Sequence, residues 1–347
     1  MNDIADILIK LCELSGPAGF EEQVTAHVKN LIEPYMDETY IDVLGNVIGV
    51  KKCGKSDAKK LLFDAHIDEN GLIVTAVEDG FLKFSKLGGL DARTLPATPI
   101  KILTDPPIFG VICALPPHVL KDEDTKKVIK IEDMFIDVGL IAEEAEKKVP
   151  VGTPGVFAVG AKKFGENQIY GKALDDRAGF AAILWALELL KDEKLDVDLY
   201  VMASVQEEVG MRGAGPGAFA IEPDYAVIID VNFAKTPDTK PHKATDILGG
   251  GVSIAWGPNM NARFTQLAID CAKKQDIKYQ ISVEPGGNIG LNSSVIQISR
   301  GGVATAVFGI PLKYMHTTCE IVSLDDIKCT AELLCETAKS VSSLTKR

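Results

Sequence analysis

The run Leu199-Tyr200-Val201-Met202-Ala203-Ser204-Val205 is almost wholly apolar, and Gln206-Glu207-Glu208 follows it at once. A short apolar run with no polar alternation reads as a strand buried on both faces, which is what a parallel sheet covered by helices requires. Two acids at its end are costly to bury unless a cation or strong donors meet them. The same form recurs on either side. Leu61-Leu62-Phe63-Asp64-Ala65 runs into His66-Ile67-Asp68-Glu69, Tyr225-Ala226-Val227-Ile228-Ile229 ends at Asp230, and Val303 to Ile310 precedes Tyr314-Met315-His316. Helical patterns fall between and around these runs, at Ile4–Leu14, Glu21–Tyr35, Arg177–Leu190, Phe264–Gln275 and Leu324–Leu344. Strand and helix alternating in this way predict an α/β fold, a mixed sheet covered by helices on both faces.

Between residues 71 and 164 the texture changes. Leu72–Val77, Phe81–Lys86, Ile100–Thr104 and Ile108–Leu115 are short and β-rich, divided by Asp79-Gly80, Gly88-Gly89 and Pro106-Pro107. This predicts a small β-barrel or sandwich inserted into the main domain, with one helix at Ala142–Lys148. The domain expectation is therefore 1–70 with 165–347 for the α/β part and 71–164 for the insertion. Two strands are expected within Glu38–Lys51 around Gly45-Asn46.

Composition narrows the function. Of 347 residues, 37 are Lys or Arg and 49 are Asp or Glu, a net charge of −12, which disfavours nucleic acid and anionic lipid as partners. Apolar residues at 46% and charged residues at 25% are globular proportions and exclude a disordered chain. No apolar run reaches the length of a membrane span. Met1-Asn2-Asp3-Ile4-Ala5-Asp6 has acids where an export signal needs bases, so a cytoplasmic location is expected. The seven cysteines are scattered without a CxxC pair, which argues against disulfides and thiolate metal sites.

The chemistry gathers in a few places. His66-x-Asp68 at a strand end puts both side chains on one side, so the acid can orient the imidazole while the other ring nitrogen binds metal. Taken alone, the pair more commonly means a satisfied structural histidine. Asp175-Asp176 stands just before a helix, where an N-cap and helix-dipole reading competes with a ligand reading. With Glu207, Glu208, Asp230 and His316, these residues give two histidines and several carboxylates, nearly all at strand ends, where an open α/β sheet forms its ligand crevice. Nitrogen and oxygen donors without thiolate suit Zn²⁺, Co²⁺ or Mn²⁺.

The order Ala65-His66-Ile67-Asp68-Glu69, Ala173-Leu174-Asp175-Asp176-Arg177, Val205-Gln206-Glu207-Glu208-Val209-Gly210 and Tyr314-Met315-His316 resembles the M42 family of metallo-aminopeptidases, which includes tetrahedral and glutamyl aminopeptidases. The likeness runs from Ser15-Gly16-Pro17 to Asp325-Asp326-Ile327. It implies a zinc-peptidase-like fold and two divalent ions per chain. His66 and Asp230 would be terminal ligands of one ion, Glu208 and His316 of the other, and Asp175 would bridge them. It further implies a metal-bridged water as nucleophile, Glu207 as general base, Asp68 as the acid orienting His66, and a cis Asp175–Asp176 peptide. Short peptides would be the substrates, cut at the amino end. The inserted domain would mediate self-association into dimers and often dodecamers.

This chain has Gly290-Leu291-Asn292-Ser293 where many relatives have Gly-Thr-Asp-Ala, and Lys313 where many have Arg. It has His316-Thr317-Thr318 for His-Ser-Pro, and Leu90 for the Trp of Gly-Gly-Trp-Asp. Other classes compete: a glycoside hydrolase of endoglucanase type, a metal-dependent deacylase, and a non-catalytic assembly protein. Glu207 and all five implied ligands are present, which disfavours the last. Cys319 is expected as a buried structural thiol, and His27, His118 and His242 as ordinary surface or packing residues.

Overall fold

Strand Lys59–His66 runs at the centre of an 11-stranded sheet, parallel to Val197–Ser204 on one side and to Tyr225–Phe233 on the other. Ala304–Lys313 adds in parallel beyond Tyr225–Phe233. The computed structural model describes residues 3–119, 127–240, 246–285 and 290–344; His242 lies outside them. Both faces of the four central strands are covered, so their side chains divide by alternation. Leu61, Phe63 and Ala65 enter one core and Leu62 the opposite one. Helices Ile4–Glu13, Glu22–Ile32, Leu174–Leu189, Ala262–Lys274 and Leu324–Ser340 contribute to the first core. The short helices Ala214–Ile221 and Ser293–Ile296 contribute to the second.

The flanks of the sheet are antiparallel, save for the parallel pair Val252–Trp256 and Tyr279–Val283. The hairpin Glu38–Ile41 with Val47–Lys51 pairs with Val197–Ser204. On the other side Glu320–Ser323, Gln168–Gly171 and Lys162–Phe164 extend it. Val252–Trp256 branches from Ala304–Lys313 and carries Tyr279–Val283. The sheet is therefore mixed, as the alternation of strand and helix predicts.

The chain leaves this sheet directly after His66. Gly71–Glu78, Phe81–Leu87, Ile136–Asp137, Ile108–Ile112, Pro99–Ile102 and Pro154–Phe157 close in that order into an antiparallel barrel. Closure decides between barrel and sandwich and leaves no free edge. Leu72, Leu82, Phe84, Ile100 and Ile136 form a third core, separate from the two around the sheet. Leu90, at the family's Trp position, is buried in it. After Phe157 the chain returns, and Lys162–Phe164 already pairs in the large sheet. Among the described residues no helix is long and apolar enough to cross a membrane.

Helix Leu174–Leu189 has a broken first turn. Asp175 and Asp176 lie outside helical dihedrals, and the peptide between them is cis, as the family likeness implied. Regular helix begins at Arg177, where the apolar periodicity placed it.

Candidate metal centre

The register of the central strands brings the polar residues together. Ser204 pairs with His66, so Glu207 and Glu208 turn over the same edge three and four residues later. Asp230 pairs with Gly309 near the end of the neighbouring strands. His316 follows the end of Ala304–Lys313 on a turn in which both Tyr314 and His316 have left-handed backbone, φ 61°. Asp175 comes in from the broken first turn of its helix. The site thus occupies the carboxyl edge of the parallel strands, the position expected of an open α/β sheet.

Asp175 is at the middle. Its Oδ1 is 3.1 Å from His66 Nε2 and its Oδ2 is 3.2 Å from His316 Nε2. His316 Nε2 is also 3.6 Å from Glu208 Oε1. Two groups of donors result, His66 with Asp175 and Asp230, and Asp175 with Glu208 and His316. Within each, one donor atom per residue lies within 4.8 Å of the others. All five residues of the sequence expectation are therefore in one place, and Asp175 is common to both groups.

The electrostatics show a site with too much negative charge. Burial, and then the nearby Asp175 carboxylate, push Glu208 well above its ordinary range. Burial raises Asp230 too, against the pull of His66. Glu207 is pushed up to about 7, chiefly by burial and then by Asp68 and Asp175, with His66 opposing. Burial also acts to raise Asp175, but its contacts with His316 and His66 outweigh it and hold that carboxyl low. For His66, burial favours the neutral ring; Asp175 and Asp68 overcome it and raise the imidazole. Crowded buried carboxylates with two imidazoles and no thiolate are a donor set that divalent cations satisfy. The residues fit such ions.

Asp68 does more than face His66. Its Oδ1 lies 3.3 Å from His66 Nδ1, close enough for an ion pair but not aligned as a hydrogen bond. Its two oxygens accept from the backbone N–H groups of Glu207 and Glu208 at 3.0 and 3.1 Å. One carboxylate thus ties the His66 strand end to the Glu207–Glu208 turn. The competing readings of Asp175-Asp176 divide between the two residues. Asp176 caps the helix, its Oδ1 accepting from Gly179 N at 3.0 Å, while Asp175 turns to the imidazoles.

Sequence reasoning missed several supports. Glu320 is buried; its Oε2 accepts from Leu174 N and Asp175 N at 2.9 and 3.2 Å, and its Oε1 from His316 N at 2.8 Å. It clamps Asp175 and His316 to each other through their backbones. Gly88-Gly89 is not simply a separator of strands. A Cβ on Gly89 would come within 2.7 Å of His316 Nδ1, and one on Gly88 within 3.2 Å of Glu208 Cβ. At the Gly290–Ser293 departure, buried Asn292 donates to Asp64 at 2.9 Å and to Ser204 at 2.8 Å. Cys319 is exposed, contrary to expectation. In the loop from Tyr314 only Tyr314 and Cys319 are exposed, residues 315–318 are half-buried and Glu320 is buried at its end.

A cavity of about 540 Å³ opens over the site, lined by His66, Asp175, Glu207, Glu208, Asp230 and His316 among others. It is roomy enough for the end of a peptide.

Residues 45–333 match the model of the family described as M42 glutamyl aminopeptidase. The chain is 36% identical over 334 residues to the lysyl aminopeptidase of Pyrococcus furiosus, covering 94% of each. It is similar in structure to the TET aminopeptidase of the marine sediment archaeon Thaumarchaeota archaeon SCGC AB-539-E09, with a TM-score of 0.92, 33% identity and coverage of 97% and 96%. The TET1 peptidase of Pyrococcus horikoshii, which assembles into a tetrahedron or a large octahedral shell, is 30% identical with a TM-score of 0.84, covering 97% of this chain and all of that one (100%). Motif order, a mixed sheet with a closed barrel and these likenesses agree: the chain belongs to the M42 family of metal-dependent aminopeptidases and is a peptide-bond hydrolase.

Proposed function

We propose that this chain removes N-terminal residues from short peptides with two divalent cations. His66 and Asp230 hold one, Glu208 and His316 the other, and Asp175 is shared. The observation that carries the reading is the Asp175 carboxylate, with one oxygen 3.1 Å from His66 and the other 3.2 Å from His316. Only a carboxylate offers two such oxygens on one side chain, so it alone can serve two centres at once.

Two bound cations would supply Lewis-acid polarisation of the scissile carbonyl and a water acidic enough to ionise near neutral pH. Glu207 lines the cavity without belonging to either donor group, so its carboxylate is free to take the water's proton and return it to the leaving amine. Its raised proton affinity suits that exchange near neutrality. Asp68 fixes the backbone of Glu207 and Glu208 and faces His66 from behind. Glu320 fixes Asp175 and His316. A glycoside hydrolase would need two carboxyls flanking a sugar and no shared aspartate between imidazoles. A deacylase would ignore free α-amines, which separates it from this reading in one assay.

The test is metal titration of chelated protein, with release of nitroaniline from aminoacyl anilides as readout. Activity should return at two equivalents of Zn²⁺, Co²⁺ or Mn²⁺ per chain. Saturation at one equivalent, or cleavage confined to N-acylated substrates, would refute it.

We also infer that the barrel mediates self-association, first into dimers and then into dodecamers. Phe109, Ile141 and Val151 are 64%, 68% and 66% exposed on it, an apolar surface that a second copy would cover. Light scattering that gave a single-chain mass of 37.3 kDa would contradict this.

A further inference from the structure

Beyond Asp230 the cavity continues into a narrow recess of about 30 Å³. Asp230, Val231, Asn232, Glu284 and Leu291 line both spaces, so the recess opens from the site itself. Its polar wall is Asn232, Ser253, Ser282 and Glu284. Ser253 Oγ donates to the buried Asp246 at 2.8 Å, and Asn232 Nδ2 donates to the same Asp246 oxygen. Asp246 thereby draws the hydroxyl proton of Ser253 and an amide proton of Asn232 away from the recess. It leaves Asn232 Oδ1 buried with no partner. Ser282 Oγ donates to Glu284 Oε1 at 3.2 Å. Gly309 gives the Asn232 amide its place, since a Cβ there would come within 2.9 Å of it. Among the described residues no Lys, Arg or His lines the recess.

Ala255, Met260 and Val307 make most of the remaining lining apolar, and apart from Asp230 its few polar groups are acceptors, one of them unpartnered and one a carboxylate. Its chemical complement is a cation that only donates. Size narrows the choice. About 30 Å³ holds a group of one or two waters' bulk, enough for an ammonium but tight for a planar guanidinium. Val231 and Leu291, at the junction of the two spaces, offer apolar surface to an aliphatic stem.

We propose that the recess receives the side-chain ammonium of an N-terminal lysine, with Glu284 as the residue that sets this specificity. The assignment rests on the aminopeptidase reading above and names its substrate class. Glu284 supplies a charge-assisted hydrogen bond to the ammonium, and Asn232 Oδ1 supplies a second acceptor. A norleucyl side chain fills the same stem but leaves both acceptors unmet, and a glutamyl side chain brings like charge to Glu284.

The test is kcat/KM of the metal-loaded full chain on lysyl, arginyl, norleucyl and glutamyl nitroanilides. Thermal shifts with free L-lysine and L-norleucine give a second readout. Lysyl substrate should exceed arginyl and norleucyl by about tenfold or more, because norleucyl leaves the recess acceptors unmet and the arginyl guanidinium is tight for its volume. Glu284→Gln should erase most of the lysyl-to-norleucyl ratio, and L-lysine should raise Tm more than L-norleucine only while Glu284 is present. Norleucyl or arginyl turnover equal to lysyl in the wild type overturns the recess assignment and leaves the aminopeptidase reading intact. A lysine-selective thermal shift that depends on Glu284, with no anilide cleaved at all, supports the recess and sinks the aminopeptidase reading.

Discussion

Two buried charge clusters lie near each other in this protein, and they are built on opposite plans. In one, Glu69 accepts from Lys172 at 2.6 Å and from Arg177 at 3.1 Å, and all three side chains are nearly inaccessible. The remaining donors of Arg177 end on the carbonyls of Leu11, Leu14 and Ile67, and Lys172 also reaches Leu14 O. Every charge there has a partner within the chain. In the other, one residue away along the sequence, Asp68, Asp175, Glu207, Glu208 and Asp230 gather around two imidazoles, with the helix-capping Asp176 beside them. Burial, and then neighbouring carboxylates, raise Asp176, Glu208 and Asp230, and among the described residues no Lys or Arg is paired with them. The difference separates scaffold from site. The first cluster joins the end of helix Ile4–Glu13, the His66 strand end and the Asp175 helix. The second is complete only with positive charge from outside.

The comparison can be broken by experiment. The largest effect is expected at Glu207. Glu207→Gln should lower kcat about 10²- to 10⁴-fold, the usual contribution of a general base, while metal content stays at the wild-type level. A near-normal kcat would take Glu207 out of the mechanism. Next comes the self-satisfied cluster. Glu69→Gln leaves Lys172 and Arg177 buried without their anion and should cost about 3–5 kcal/mol in denaturant unfolding, equally with and without chelator. A loss seen only in chelated protein would mean that the two clusters are one.

The smallest effect is a pH dependence with a definite sign. Glu207 is raised from 4.5 to about 7, and Asp230 and Glu208 are raised as well. A carboxyl raised in the folded state holds its proton more tightly there than in the unfolded chain. Its relative stabilisation is complete below 4.5 and is lost as pH rises through about 7. Metal-free protein should therefore lose stability across that interval. Ligands must be deprotonated to bind, so metal should restore about 2–3 kcal/mol at the upper end when present near a hundredfold over Kd. Parallel melting curves across pH for chelated and loaded protein would contradict the uncompensated charge.

Much of this organisation is legible in the sequence, for physical reasons that also set its limits. Strands buried on both faces must be largely apolar, so Leu61–Ala65, Leu199–Val205 and Ala226–Val231 stand out despite Asp64, Ser204 and Asp230 within them. Strands nearer the margin carry no such obligation. Gln168–Gly171 and Glu320–Ser323 are four residues each, too short for a pattern to stand out, and Tyr279–Val283 alternates over only five residues, with Ile281 and Val283 exposed. Helix Ala214–Ile221 is disguised by Gly215-Pro216-Gly217; Gly217 is there because a Cβ would come within 2.3 Å of Met202 Sδ. The proposed ligands are visible because acids and histidines at strand ends are unusual company. Glu320 is not, because its partners Leu174 N and Asp175 N are 146 and 145 residues away. Nor could the sequence say that Asp68 binds the turn carrying Glu207, since that depends on the register of Ser204 against His66.

The doublet Gly88-Gly89 has a consequence for how the molecule can change. It belongs to the segment that leaves barrel strand Phe81–Leu87, yet it lies so close to the ring of His316 and the flank of Glu208 that a Cβ on Gly89 or Gly88 would come within 2.7 or 3.2 Å of them. The inserted barrel is thus one wall of the reaction chamber. Trimming it away to leave a minimal peptidase would unroof His316, and a side chain gained at Gly89 would meet the His316 ring at once, while one at Gly88 would strike Asn70 first and then Glu208.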